Sequence, residues 1–533
     1  MKPIRLMAGF FTVGLWTLLS RVLGFARDIM MAAFLGTGPV AEAFLIALSL
    51  PNMFRRFFAE GAFNMAFVPM FSKKLEANDA PLKFAQDAFV GLGFVLIVFT
   101  GVAIVFMPGL VTLMAAGFRG DVRFDLAVAY GQVAFPYILF ISLAALLSGV
   151  LNATGRFVAA AAAPVLLNII FVGTMVGMWM FAGSTVMEVT MQRPAIYGFE
   201  ATVGFGRALA WAVPFAGIAQ LALVWFAAKR AGFPLALRLP KLTPDLKRLA
   251  VIAVPAVLAG GVLQINLLVG RQVASTFDGA IAWLSYADRL YQLPLGVIAI
   301  AIGVVLLPDL SRRLQAGDEE GGRDAFNRAS EIALALTIPA AVALIVVPIP
   351  LVSVLFERGA FTATDTASTA LAVAVYGLGL PAFVLQKALQ PLFYARGDTK
   401  RPFYYALLAM VLNAVIAFGL RDYIGFIAAA VGTTLTSWAM VGQLRWGARS
   451  MGKASRFDDR FKRRIGLIIL ASIVMGAVLL GLGVLLRPLL EIAGLRYFAL
   501  LILVAGGIVS YFSIGHLLGA FRLSEFKSAM RRS

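Results

Sequence analysis

The chain of 533 residues has no cysteine and a single histidine, His516, and only 14% of its residues are charged. Without cysteine there is no disulfide framework and no thiolate metal site, and one histidine cannot build a histidine-rich metal centre. The 27 acidic residues form no aspartate-rich run of the kind that holds magnesium in polyprenyl-phosphate enzymes. The glycine-rich stretch GFGRAL at 204–209 has no strand before it and so makes no phosphate loop. A protein that is not an enzyme, with no metal or cofactor, is expected.

What the chain does have is apolar surface: 61% of its residues are hydrophobic. Soluble domains are nearer half apolar and a quarter charged, so most of this chain is expected in lipid as spanning helices. A window of about 20 residues finds apolar segments at 7–27, 36–55, 85–107, 127–150, 158–182, 203–228, 248–275, 280–307, 329–350, 367–393, 402–420, 424–446, 465–486 and 496–519. The predicted fold class is therefore an all-α, polytopic membrane protein of fourteen transmembrane helices. Met1–Arg5 begins like a secretory signal, but no small-residue cleavage site follows, so the first segment reads as a retained span.

The formal net charge of +19 is then a statement about topology. With the N-terminus on the cytoplasmic side, 33 of the 46 Lys and Arg fall in cytoplasmic segments and seven in the opposite loops. Such a bias places both termini in the cytoplasm and removes the need for nucleic acid as a partner. The densest basic run, Arg445 to Arg464, reads as a solvated loop facing lipid headgroups.

The chain also repeats itself. AFLIALSLP at 43–51 and VPMFSKKLE at 68–76 are echoed by ADRLYQLP at 287–294 and LPDLSRRLQ at 307–315. Pro136 and Asn168 are matched by Pro381 and Asn413, each 245 residues later. A shift of this size spans an even number of helices, so the copies keep one orientation. The expected organisation is a parallel repeat of six helices in 1–230 and six in 231–450, with two helices appended in 451–533. Two such lobes are a transporter architecture, working by alternating access.

Ionisable groups inside spans are costly unless they face a cavity or a partner. Six basic residues lie within the spans: Arg21, Arg27, Arg207, Arg271, Arg289 and Lys387. Asp28 follows Arg27, and Asp288 precedes Arg289. Sequence neighbours on a helix point about 100° apart, so they are expected to pair poorly with each other. Pairing across the halves, Arg27 with Asp288 or Asp28 with Arg289, is the expected gate. Arg55 and Arg56 close the second span, and His516 reads as a packing residue. Converging guanidinium groups suit an anion, phosphate in particular, through paired hydrogen bonds.

LLSRVLGFARD at 18–28, LPNMFRRFFAEGAFNMAFVP at 50–69, YADRLYQLPLGV at 286–297, LFERGAFTATDT at 355–366 and FYARGDTKRP at 393–402 resemble the MurJ (MviN) family of lipid II flippases. The resemblance implies a protein of the bacterial inner (cytoplasmic) membrane. Its task would be to move lipid II, the undecaprenyl-pyrophosphate-linked disaccharide pentapeptide of peptidoglycan synthesis, from the cytoplasmic to the periplasmic leaflet. By motif position, Arg21, Arg27, Arg55 and Arg289 match the family's cavity arginines, and Asp28, Glu42 and Asp288 its acidic cavity positions. The two appended helices match those thought to hold the lipid tail. Many members have Asp where this chain has Glu42, and Gly270 stands where some relatives place an acidic sodium ligand. Sodium coupling is thus open, with the membrane potential as the alternative. A monomer contacting membrane lipids is expected. The alternative reading within the wider superfamily is an antiporter exporting drugs or other polyprenyl-linked saccharides.

Overall fold

A computed structural model of the chain describes residues 6–56, 62–192, 198–235 and 240–521, and these residues contain helices and no strand. The first helices are α1 (Leu6–Leu35), α2 (Pro39–Arg55), α3 (Ala62–Glu76), α4 (Pro81–Val105), α5 (Met107–Met114), α6 (Val122–Ala134), α7 (Tyr137–Ala153), α8 (Val158–Gln192), α9 (Gly198–Arg230) and α10 (Pro244–Ala274). They are followed by α11 (Ala280–Gln315), α12 (Glu319–Val346), α13 (Pro348–Phe356), α14 (Ala363–Tyr394), α15 (Lys400–Ile424), α16 (Ala428–Ala448), α17 (Asp459–Leu485), α18 (Arg487–Glu491) and α19 (Arg496–Leu517). Nine segments of the described residues are long and apolar enough to cross a membrane, and each apolar stretch read from the sequence falls on a helix or a consecutive pair of helices. The N-terminal residues 1–5 and C-terminal residues 522–533, on which the cytoplasmic placement of the termini partly rests, lie outside the described residues.

Proline and glycine explain where apolar runs divide. The stretch 127–150 is two helices, because Pro136 has no N–H to continue the ladder of α6 and instead sits at the N-cap of α7. Gly425, with φ of +67°, ends α15 and lets α16 begin three residues later. Short helices α5, α13 and α18 each follow a long span and carry proline at the first or second position, where a missing N–H costs nothing.

The chain forms two compact units, Met1–Ala282 with Arg358–Phe361, and Trp283–Glu357 with Thr362–Ser533. The sequence repeat divides at about residue 230, whereas packing divides fifty residues later, because α10 docks on the first unit. At its outer end Gln272 donates to the Thr112 carbonyl at 2.9 Å and accepts from the Ala116 N–H at 3.1 Å. The Gly117 N–H donates to Ser275 Oγ at 3.0 Å, and a Cβ at Gly117 would lie 2.5 Å from the Ser275 carbonyl carbon, so only glycine allows this approach. At its inner end Asp245 pairs with Lys74 at 3.0 Å. Lys74 also pairs with Asp79, which raises its ammonium above the ordinary lysine value.

Within the first unit, Gln220 of α9 accepts from the Tyr137 hydroxyl at 3.2 Å and donates to the Ala163 carbonyl at 3.0 Å. One buried amide thus joins α7, α8 and α9. Within the second unit, α12, α17 and α19 surround a core of Ile468, Ala471, Met475, Leu479 and Leu503. The appended helices are therefore part of this unit's hydrophobic interior.

Candidate functional site

Arg27 and Asp28 lie on α1 and are both buried. The expectation that they pair poorly is corrected by the structure: Arg27 Nε and one terminal nitrogen donate to Asp28 Oδ1 at 3.0 and 2.7 Å. The 100° between their Cβ directions does not matter, because the long arginine stem curls back over the short aspartate. The second terminal nitrogen donates to Asn168 Oδ1 of α8 at 3.1 Å, and the guanidinium lies 5.6 Å from the centre of the Phe171 ring. A guanidinium has five N–H groups. Three are used here, and no described residue takes the other two, one on each terminal nitrogen. Guanidinium N–H groups are donors that a phosphate recognises.

Glu42 was expected on a cavity wall, and the structure buries it to 1% exposure in the first turn of α2. Its carboxylate accepts from Arg123 at 3.0 Å and from the Ile281 N–H at 3.0 Å. Arg123 also pairs with Asp121 at 2.5 Å and Asp278 at 2.8 Å, and its guanidinium lies over the Phe118 ring at 4.6 Å. One buried arginine therefore ties α2, the start of α6 and the turn after α10 into a clamp. In the sequence Arg123 is one of the seven basic residues of the loops opposite the cytoplasmic side. Its one sequence signal was its place among the few basic residues on the basic-poor side.

The remaining candidates are spread more widely. Arg21 is exposed on α1 with no ion-pair partner among the described residues, Arg55 is half-buried and Arg56 exposed. On α11 Asp288 is half-buried and accepts from Gln292, while Arg289 is exposed. Beside Asp288, the Tyr291 ring packs on Tyr376 at 4.9 Å and Phe383 at 5.3 Å, wedging α11 to α14. Lys387 is exposed on α14, Arg271 half-buried on α10, and His516 exposed at the end of α19, where packing had been expected.

Two motifs that stand out in the sequence prove structural. In LFERGAFTATDT, Thr362 and Asp365 form a capping box at the start of α14, and Asp365 also accepts from Trp283 Nε1 at 2.9 Å. In the second-span motif, Phe54 packs on Phe99 and Phe135 at 5.1 and 5.8 Å. The basic run Arg445–Arg464, expected to be solvated, is largely so, with Arg449, Lys453, Arg456, Arg460, Lys462 and Arg463 exposed, but it is also anchored to the protein. Arg445 donates to the Ser455 carbonyl and lies 4.1 Å from the Phe457 ring, the Arg456 carbonyl accepts from Asn327 at 3.0 Å, and the buried Glu331 pairs with Arg328, Arg460 and Arg464.

The second unit contains an apolar groove of about 310 Å³, lined by Ala335, Pro339 and Ala343 of α12, Leu351 of α13, Met475 and Leu479 of α17 and Leu503, Gly507 and Tyr511 of α19. The Tyr511 hydroxyl is turned away from it, donating to the Ala335 carbonyl at 2.5 Å, so the groove presents almost no polar surface.

The family model for lipid II flippase MurJ matches residues 31–504. The chain belongs to the MurJ family. A probable lipid II flippase MurJ of Rhizobium tropici is 41% identical, over 99% of this chain and 97% of the relative. The lipid II flippase MurJ of Burkholderia cenocepacia is 33% identical over 79% of this chain and 80% of its own length. Among solved structures, a lipid II flippase MurJ in an inward closed conformation superposes with a TM-score of 0.74 at 24% identity, covering 95% of this chain and 98% of that one. An inward-facing multidrug resistance MATE family transporter of the MOP superfamily superposes at 0.62 with 16% identity, over 82% and 95% of the two chains. The fold is thus one that both solved structures share, and the likeness is greater to the flippase than to the multidrug carrier.

Proposed function

We propose that this protein transports rather than transforms its substrate, flipping lipid II from the cytoplasmic to the periplasmic leaflet of the bacterial inner membrane by alternating access, for peptidoglycan synthesis. The observation that carries the reading is Arg27, whose guanidinium is held by Asp28 and Asn168 with one N–H left on each terminal nitrogen. Those donors suit two oxygens of the pyrophosphate. Arg21 and Arg55, of the same unit, add positive charge for the same anion, and Asp28 keeps the Arg27 guanidinium oriented when no substrate is present. Glu42 acts at one remove, through the clamp it forms with Arg123. The apolar groove beside α17 and α19 suits the polyprenyl tail, which then never leaves an apolar environment while the headgroup crosses. The protein works as a monomer among membrane lipids, with both termini cytoplasmic. The membrane potential supplies the driving force, at about 2.3 kcal/mol per charge for 100 mV.

The test is complementation of a strain depleted of its own lipid II flippase. Arg27→Ala is expected to abolish growth while leaving the protein at normal level in the membrane, with lipid II accumulating in the inner leaflet. Growth at the wild-type rate with Arg27→Ala would overturn the assignment of the anion site. An unchanged leaflet distribution of lipid II on depletion of the wild-type protein would favour export of another substrate.

A further inference from the structure

Asn168 attracts attention in the sequence only because Asn413 repeats it, yet in the fold it touches the most heavily coordinated cation of α1. It is buried on α8, and its amide is used on both sides. Oδ1 accepts from Arg27 at 3.1 Å, while Nδ2 donates to the Ser20 carbonyl at 2.9 Å and lies 3.5 Å from the Ser20 hydroxyl. Ser20, Gly24 and Arg27 fall on one face of α1, at spacings of four and three residues. Gly24 supplies the space: a Cβ there would meet the Asn168 amide at 3.5 to 3.6 Å, so any longer side chain would occupy the slot the amide fills. Phe171, one turn further along α8, places its ring beside the guanidinium. The amide is thus fixed by the backbone of the helix that carries Arg27, and it in turn fixes the arginine.

We propose that Asn168 is a positioning residue for Arg27, setting which two N–H groups of the guanidinium remain for phosphate oxygens. The inference rests on the pyrophosphate reading of Arg27 given above. Asp28 holds one edge of the guanidinium, but a single carboxylate oxygen shared by two N–H groups permits rotation about itself. The Asn168 contact on the opposite nitrogen removes that freedom. Without it Arg27 keeps its charge and its ion pair but presents its donors in many orientations, so affinity for the anion falls while folding is retained.

The experiment is a double-mutant cycle on the affinity of the full-length protein, in nanodiscs, for lipid II. Asn168→Leu is expected to weaken binding roughly ten-fold, the usual scale for a hydrogen bond to a charged group. Arg27→Met is expected to weaken it at least as much, and the double variant no further than Arg27→Met alone, because a positioning residue has nothing left to position. Additive losses, or wild-type affinity in Asn168→Leu, would overturn the proposal and leave the role of Arg27 standing. Wild-type affinity in Arg27→Met would overturn the reading on which it rests. If the leucine variant does not fold, Asn168→Ser removes the amide without adding bulk beside Gly24 and completes the same cycle.

Discussion

Replacing Arg123 by Met keeps the side-chain stem against Phe118 and removes the cation from the clamp. The three carboxylates it faces are unequal. The Asp278 side chain is 91% exposed and that of Asp121 34% exposed, so water replaces the arginine there at little cost, as for surface ion pairs generally. The Glu42 side chain is 1% exposed, and with Arg123 gone it keeps the hydrogen bonds from the Gly279 and Ile281 backbone N–H groups. Breaking a buried pair by removing one partner costs about 3–5 kcal/mol, and the two surviving backbone hydrogen bonds put this case near the lower end. At roughly 2–4 °C per kcal/mol for a unit of a few hundred residues, the thermal transition should fall by about 6–12 °C. The assay is loss of the monodisperse peak on fluorescence-detected size exclusion after heating in detergent. Adding Glu42→Gln to Arg123→Met should restore at least half of the loss, since a neutral amide can stay buried without a cation. A single variant as stable as the wild type, a double variant no better than the single, or an Asp278→Asn variant as damaging as Arg123→Met would each refute the reasoning.

Two further outcomes are expected. Ala340→Trp fills the apolar groove of the second unit from the α12 side; it should abolish complementation of a flippase-depleted strain while protein level and thermal stability stay normal, and full growth would remove the groove from the transport path. Because the chain has no cysteine, single cysteines report topology directly. Thr276→Cys, exposed in the turn after α10, should react with an impermeant maleimide on intact spheroplasts, and Ser450→Cys, exposed after α16, only once the membrane is opened; the reverse pattern would invert the orientation drawn from the basic residues.

Much of this architecture could be read from hydropathy, because a lipid environment leaves a spanning segment little choice but a helix. Helix α3 escaped that reading. Its residues VPMFSKKLE carry too much charge for a span, and only their likeness to LPDLSRRLQ, which ends the continuous helix α11, signals helix there. The site was legible as a set of charges and not as a set of contacts. Position along a helix gives the direction of Cβ, whereas an arginine reaches several ångströms beyond it. That is why Arg27 could find Asp28 despite their angle, and why Arg445 and Arg464, in the basic run after α16, could find Ser455 and Glu331. Arg123 was hidden for a related reason: its partners Glu42, Asp121 and Asp278 are brought together only by the docking of α10, which no local pattern encodes.

The same docking bears on how the two copies of the repeat are shared between the compact units. Arg271 follows Arg27 by 244 residues and Asn413 follows Asn168 by 245, so the repeat supplies a second arginine and a second asparagine in register. In the first copy both members belong to one compact unit and are hydrogen bonded. In the second copy the counterparts are divided, Arg271 on α10 in the first unit and Asn413 on α15 in the second. Each asparagine still lies against a helix glycine, Gly24 for Asn168 and Gly432 for Asn413, where a Cβ would come within 2.6 Å of the Asn413 oxygen. The packing role of the repeated asparagine is therefore common to both copies. A repeat preserves the helix contacts that any packed bundle needs. What the repeat alone does not encode is the docking of α10 on the first unit through Gln272, Ser275 and Asp245.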